Sequence, residues 1–124
     1  MIKYLWIWMG AALGASCRYW LANWTSEKWG THFAYGTWII NLIGSFILGW
    51  FLFLNLERGV FQANTRYFLA IGWCASFTTF STFSWETFRY FSEGNITFGF
   101  LNILANVLGC LLATWAGVVV ARLF

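Results

Sequence analysis

Three long runs without a charged side chain constrain the fold of this chain more than any other feature. Residues 29–56 are 28 consecutive uncharged positions, residues 67–85 are 19, and residues 94–121 are another 28. A helix crosses about 30 Å of hydrocarbon with about 20 residues, so each run is long enough to span a membrane. The first apolar run, residues 4–17, has 14 positions and reaches that length only if Arg18 lies within the span.

The composition agrees with a membrane protein. Of the 124 residues, 60% are apolar and 9% are charged, whereas soluble proteins have roughly 25% charged residues. This excludes an ordinary cytosolic enzyme, a disordered tail and a nucleic-acid-binding protein, so no nucleic acid is expected as a partner. We predict an all-α integral membrane protein with a single transmembrane domain over residues 1–124. Its four helices are expected near residues 4–24, 34–56, 66–91 and 96–122.

The basic residues give little preference for one orientation in the membrane. With four spans, one side carries Lys3, Arg58, Arg66 and Arg122, and the other carries Lys28 and Arg89, with Arg18 near that end. Basic residues normally mark the cytoplasmic side. A difference of one charge leaves two alternatives, namely one orientation, or insertion both ways, which allows antiparallel pairing with an identical chain. Because four helices enclose little space for a solute path, we expect an oligomer.

Small residues at helical spacing predict close helix packing, either within one chain or between chains. The first predicted helix has Gly10 and Gly14, the second has Gly49 with Gly44 or Ser45, and the fourth has Gly109, Ala113 and Gly117.

Polar side chains inside the predicted spans are costly in lipid and are usually functional. Arg18 either extends to the membrane surface or forms a mouth that attracts an anion. Asn41 either makes a hydrogen bond between helices or directs a donor into a pore. One face of the fourth helix is either a structural seam or the wall of a hydrated path. That face carries Asn102, Asn106, Cys110 and Thr114.

The third predicted helix is unusually rich in hydroxyl groups. Residues 76–84 contain six hydroxyl side chains and three phenylalanines. Threonine disfavours helix slightly and hydroxyls compete for backbone groups, so we predict a broken or irregular helix. Such a break is tolerated at membrane depth only inside protein or beside a cavity, and it frees carbonyl oxygens that can bind Na⁺. The hydroxyl donors favour an anion, to which Phe80 and Phe83 can present positive ring edges.

These residues also match a known family. Residues 72–86, GWCASFTTFSTFSWE, resemble the signature G-x-C-G-G-x-T-T-F-S-T-F-S-x-E of the Fluc (CrcB) fluoride ion channel family. Residues 36–49 resemble its second-helix motif, and Gly10, Gly14 and Arg18 match its first-helix pattern. In the third helix, Ala75 and Ser76 stand where the family usually has two glycines.

The resemblance implies a fluoride-selective passive channel that exports fluoride from the cytoplasm and lowers its toxicity. It implies an antiparallel, dual-topology homodimer with two pores, each lined by both chains, and a third helix broken in mid-membrane. The expected location is the plasma (inner) membrane of a microbe, with several passes through the lipid. The expected partners are fluoride, membrane lipid and an identical chain, and no enzymatic activity is expected.

The resemblance also implies roles for individual residues. Phe80 and Phe83 match the phenylalanines whose ring edges face fluoride, and Asn41 matches the pore asparagine. The carbonyls of Ala75 and Thr78 match ligands of a structural Na⁺ at the dimer centre. The other matched pathway residues are Ser81, Thr82 and Glu86 on the third helix, Arg18 near the vestibule, and Asn106 on the fourth helix.

Three alternatives belong to other functional classes. A small four-helix multidrug exporter needs a carboxylate in its first helix, but no Asp or Glu precedes Glu27. A membrane enzyme would use Ser81 or Cys74 as nucleophile and His32 as base, which would lie at different depths. A membrane assembly subunit without transport would have no need for the hydroxyl-rich third helix.

Overall fold

The computed structural model describes residues Met1–Phe124, and all of its regular structure is helical. The first two helices are α1 (Ile2–Trp29) and α2 (Tyr35–Arg58). We call residues 63–92 the third segment, which contains α3 (Ala63–Arg66), a π-helix (Tyr67–Cys74), α4 (Ala75–Phe77) and α5 (Phe80–Ser92). The last helix is α6 (Ile96–Ala121). The helical regions therefore overlap all four predicted spans, and α1 extends beyond the predicted 4–24 at both ends.

Much of the apolar surface of the chain is exposed. Only 22 of the 124 residues are buried, and large apolar side chains project outward along α1, α5 and α6. Two helices, Tyr35–Arg58 and Ile96–Ala121, are long and apolar enough to cross a membrane by length and composition alone. An apolar exterior of this extent fits a lipid or protein environment better than water.

Glycines in the left-handed region end the first two helices and α5, at Gly30, Gly59 and Gly94. Gly59 has φ 61°, and the N–H of Val60 after it donates to the carbonyl of Leu54 at 3.4 Å. This closure satisfies carbonyls at the end of α2, and its left-handed conformation favours glycine.

The small-residue pairs pack helices within this one chain. Gly10 and Gly14 of α1 lie against the backbone of the π-helix at Phe68 and Trp73. A Cβ on Gly72 would lie 2.7 Å from the carbonyl oxygen of Ile7 in α1. In the same way, Gly49 and Gly117 bring the backbones of α2 and α6 together. Packing within one chain, which the sequence left open, is therefore present at both contacts.

The third segment is irregular at two places. The π-helix over Tyr67–Cys74 has eight residues and was not anticipated from the sequence. Helical structure then stops at Thr78 (φ −76°, ψ 158°) and Thr79 (φ −150°, ψ 111°) and resumes at Phe80. Both threonines are extended, a conformation open to any residue, and Ala75 is right-handed helical at φ −66° and ψ −29°. The interruption therefore needs no glycine at position 75 or 76.

Candidate functional site

Thr79 organises the interruption between α4 and α5. Its backbone N–H donates to Oδ1 of Asn41 at 2.9 Å, and its carbonyl accepts from Nδ2 of Asn41 at 3.2 Å. Its hydroxyl donates to Thr82 Oγ1 at 3.0 Å and accepts from the Thr82 backbone N–H at 3.2 Å, which caps α5. The side chain of Asn41 on α2 thus replaces the helical hydrogen bonds that Thr79 would otherwise make.

A chain of amide side chains continues from Asn41 into α6. Nδ2 of Asn41 donates to Oδ1 of Asn106 at 2.9 Å. Nδ2 of Asn106 donates to the side-chain oxygen of Asn102 at 3.0 Å and to its carbonyl at 3.1 Å. The three asparagines are buried, with Asn102 0% and Asn106 4% exposed. Asn41 therefore makes hydrogen bonds between helices, which was one of the two roles that the sequence allowed for it. Both of its side-chain N–H groups have acceptors within the chain.

An open groove of about 410 Å³ lies beside the interruption. The ring centroids of Phe80 and Phe83 are 5.3 Å apart, with their planes at 61°. Phe83 is 8% exposed, whereas Phe80 is 77% exposed and projects from the chain. The lining also includes backbone or side-chain atoms of Asn41, Ser45, Thr79, Asn106, Cys110 and Thr114.

A second cavity of about 190 Å³ lies beside polar residues of α5. Its lining includes Thr37 of α2, Thr82, Glu86 and Arg89. Oε1 of Glu86 accepts from the hydroxyl of Thr37 at 2.7 Å, whereas its Oε2 is buried with no hydrogen-bond partner. Along α2, Thr37 lines this cavity and Ser45 lines the groove, and eight residues of helix correspond to about 12 Å. Polar groups on α2 thus extend over about 12 Å of a hydrocarbon thickness of roughly 30 Å.

The predicted pathway residues fall into three places. Asn41, Asn106, Phe80 and Phe83 line the groove, and Thr82 and Glu86 line the second cavity. Ser81 is exposed, with its hydroxyl 3.3 Å from that of Thr79. Arg18 is partly exposed on α1 and lines neither space.

The fourth-helix face divides between the two interpretations that the sequence left open. Asn106, Cys110 and Thr114 line the groove, whereas Asn102 lines neither space and donates to Thr87 of α5 at 2.9 Å. Asn102 therefore belongs to a seam between helices, and the other three belong to a wall.

The sequence interpretation missed three residues of this site. Thr79 was one of the six hydroxyl residues in the serine- and threonine-rich run of the third predicted helix, but no sequence pattern distinguished it from the others as the residue at the interruption. Thr37 belongs to the second-helix motif, which could have identified it as a partner of Glu86. Thr87 donates to the carbonyl of Phe83 at 2.8 Å, and only its spacing of four residues from Phe83 could have suggested this bond.

The groove and the second cavity together combine neutral donors, two phenyl rings, the Glu86 carboxylate and the Arg89 guanidinium. His32 packs on the ring of Tyr35 in the loop before α2, with centroids 5.5 Å apart. Hydroxyl and amide donors with aromatic ring edges suit weak, repeated contacts with a small anion.

Comparison with known proteins agrees with this geometry. The family model described as CrcB-like protein, Camphor Resistance (CrcB), matches residues 5–118. A protein of Geobacter sp. (strain M21) named "Fluoride-specific ion channel FluC" is 39% identical over 122 residues, covering 98% of each chain. Proteins of the same name from Methylocella silvestris and Koribacter versatilis are each 42% identical. The alignment with the Methylocella protein covers 97% of this chain and 93% of that protein. The alignment with the Koribacter protein covers 90% of this chain and 88% of that protein. The chain therefore belongs to the CrcB-like family.

Proposed function

We propose that this protein is a fluoride-selective passive ion channel that exports fluoride from the cytoplasm and lowers its toxicity. The observation that carries the proposal is the groove at Thr78 and Thr79, where neutral donors and the rings of Phe80 and Phe83 meet beside interrupted helix. The names of relatives about 40% identical over nearly the whole chain support fluoride as the ion.

The chemistry of the lining suits fluoride. Fluoride is small and strongly hydrated, so a pore must replace its water with several donors without trapping it. The path begins at the groove with Phe80 and Phe83 and continues past the hydroxyls of Ser81 and Thr82 to Glu86. Asn41 and Asn106 border the groove, and Arg18 attracts the anion at a vestibule. For Asn41 to donate to the ion, its 3.2 Å bond to the Thr79 carbonyl must open.

The functional unit in this proposal is an antiparallel, dual-topology homodimer with two pores. The single chain leaves the groove open on one side and leaves Phe80 exposed, so a second chain has a surface to complete. The near balance of basic residues on the two predicted sides is compatible with insertion both ways. All four spans, with the third broken in mid-membrane, then cross the plasma (inner) membrane of a microbe in contact with its lipids.

A structural Na⁺ at the dimer centre belongs to the same proposal, and the backbone carbonyl oxygens of Ala75 and Thr78 are suitable ligands for it. The N–H of Thr79 donates to Asn41 instead of the Ala75 carbonyl, and the N–H of Thr82 donates to the Thr79 hydroxyl instead of the Thr78 carbonyl. Ala75 and Thr78 therefore present carbonyl oxygens without their helical donors, and such oxygens bind Na⁺ at helix breaks. The ion would supply a fixed positive charge that holds the two chains together.

The alternatives are not favoured. The relatives are named as a fluoride-specific ion channel, which is neither a multidrug exporter nor an enzyme. A non-transporting assembly subunit would leave the polar lining of the groove and the second cavity without a purpose.

The test is release of fluoride from liposomes that contain the purified protein, followed with a fluoride electrode. The expected result is rapid fluoride release, with chloride retained in matched chloride-loaded vesicles. A correctly folded preparation that releases no fluoride, or releases both ions equally, would exclude the proposed function.

A further inference from the structure

Asn102 and Thr87 are a buried, hydrogen-bonded pair between α6 and α5. Asn102 is 0% exposed and Thr87 is 8% exposed. Nδ2 of Asn102 donates to Oγ1 of Thr87 at 2.9 Å, and neither residue lines the groove or the second cavity. An ion in either space cannot touch them, so any effect on its passage must act through other residues.

The pair is connected to the groove at both ends. At one end, Asn102 accepts from Asn106, and Asn106 accepts from Asn41. At the other end, the Thr87 hydroxyl donates to the carbonyl of Phe83 at 2.8 Å. Asn41, Asn106 and Phe83 all line the groove.

We call the series of hydrogen bonds that joins Asn41, Asn106, Asn102 and Thr87 the relay. Backbone groups fix the direction of each bond in it. An asparagine amide can exchange its oxygen and nitrogen by a half-turn, so its orientation depends on its partners. The N–H of Thr79 can only donate, so it must face the oxygen of Asn41. That choice turns the nitrogen of Asn41 toward the oxygen of Asn106.

The opposite end requires the same direction. The Phe83 carbonyl can only accept, so the single proton of the Thr87 hydroxyl is used there, and the hydroxyl must accept from Asn102. The nitrogen of Asn102 therefore faces Thr87 and its oxygen faces Asn106. A satisfied network of this kind specifies one arrangement of its members.

We propose that Asn102 and Thr87 are positioning residues for fluoride passage, which hold the amide of Asn106 and the backbone of Phe83 in the position that the groove requires. This inference rests on the proposed function. Without the Thr87 hydroxyl, the amide of Asn102 is free to turn its nitrogen toward Asn106, and Asn106 then loses its side-chain acceptor. The direction of Asn41 stays fixed by the N–H of Thr79.

The test compares fluoride release by Thr87→Val, Thr87→Ser and Asn102→Leu. Thr87→Val keeps the branched shape and removes the hydroxyl, and it should slow release roughly tenfold, the change expected from losing about one buried hydrogen bond. Asn102→Leu should slow it similarly. Thr87→Ser keeps the hydroxyl and should restore a rate close to the parental one. The double variant Thr87→Val, Asn102→Leu should be no slower than the slower single variant, because both changes interrupt one relay.

Ser92→Ala is the matched control. Ser92 makes the same local bond, from its hydroxyl to the carbonyl of Phe88 at 2.9 Å, but it is exposed and bonds to no asparagine. Release by this variant should equal that of the parent. A parental rate in folded Thr87→Val, a rate for Thr87→Ser as slow as that for Thr87→Val, or multiplicative losses in the double variant would each overturn the inference.

A second readout does not depend on transport. In the parent, side-chain N–H hydrogens of Asn106, which donate to Asn102, should exchange with solvent far more slowly than those of exposed Asn64, as measured by nuclear magnetic resonance in micelles. Equal exchange would overturn the inference even where Thr87→Val fails to fold. Absence of fluoride release from the parent, with slow Asn106 exchange, would instead reject the proposed function and leave the hydrogen bonds as a structural feature.

Discussion

Phe80 and Phe83 have different environments although they are three residues apart on one helix. Phe83 is 8% exposed and its carbonyl is held by Thr87, whereas Phe80 is 77% exposed. Phe83 therefore belongs to both the core and the groove, and its truncation would mix loss of packing with loss of a contact to the ion. Phe80 is the cleaner probe of the ring's contact with the ion.

We expect Phe80→Ala to slow fluoride release by a factor of roughly two to ten, because an aromatic contact is worth about 0.5–1.5 kcal/mol. The melting temperature of the protein in detergent should change little, since so much of the side chain is exposed. Both quantities are measured on the same preparation, release with the fluoride electrode and melting by circular dichroism. The control is Phe88→Ala, because Phe88 lies on the same helix, is 62% exposed and lines neither cavity. Equal rates for the two variants would contradict a role for the Phe80 ring.

How far the sequence predicts the site differs between residues. The spacing of Asn102 and Asn106 predicted that both side chains face protein or water, and their burial confirms it. The sequence could not tell which atoms of Asn41 are used, because amide bonding depends on the backbone of Thr79, which is 38 residues away. Long-range partners of this kind have no local pattern.

At the scale of elements, the third segment shows what the local sequence can and cannot specify. The threonine-rich run predicted irregular helix, and Thr78 and Thr79 are extended. The π-helix over Tyr67–Cys74 has no comparable signal, because its residues are ordinary apolar ones. It packs against Gly10 and Gly14 of α1, so tertiary contact rather than local propensity accounts best for it.

The conformation at Ala75 leads to a prediction about the departure from the family's two glycines. Ala75 is right-handed helical, so Ala75→Gly should lower the free energy of unfolding by about 0.5–1 kcal/mol, the usual cost of glycine within a helix. Ala12→Gly, at an exposed position within α1, is the matched comparison and should lower it similarly. Both are measured by denaturant titration in detergent. A stabilised Ala75→Gly protein would mean that the functional state needs a backbone conformation at residue 75 that only glycine adopts easily.

At the scale of the whole molecule, the exposed apolar surface determines which environment the chain requires. The charge-free runs predicted helices of spanning length, and α2 and α6 meet that requirement by length and composition. Burial is low because one chain covers little of its own surface, and 22 buried residues form a small core for 124. The sequence predicted this need for an apolar environment, but the division between lipid and a second chain depends on an assembly that charge counts alone do not specify.

The proposed antiparallel dimer predicts that orientation can be set by added charge. Val60→Lys with Asn64→Lys changes the count of basic residues from four against three to six against three. Asn23→Lys with Asn95→Lys and Arg58→Gln changes it to three against five, with the excess on the opposite side. Because basic residues favour the cytoplasmic side, each variant should insert in one orientation. Labelling of a C-terminal tag from outside the cell would measure that orientation.

Each lysine variant expressed alone should then lack partners of opposite orientation and lose fluoride export, whereas co-expression of the two should restore it. The matched control carries Val60→Gln and Asn64→Gln, which place uncharged polar side chains at the same exposed positions and should leave both orientation and export unchanged. If either lysine variant inserts uniformly and still exports fluoride at the parental rate when expressed alone, antiparallel pairing is not required. In that case the open side of the groove must be completed by a parallel partner or by lipid, and the balance of basic residues has no part in assembly.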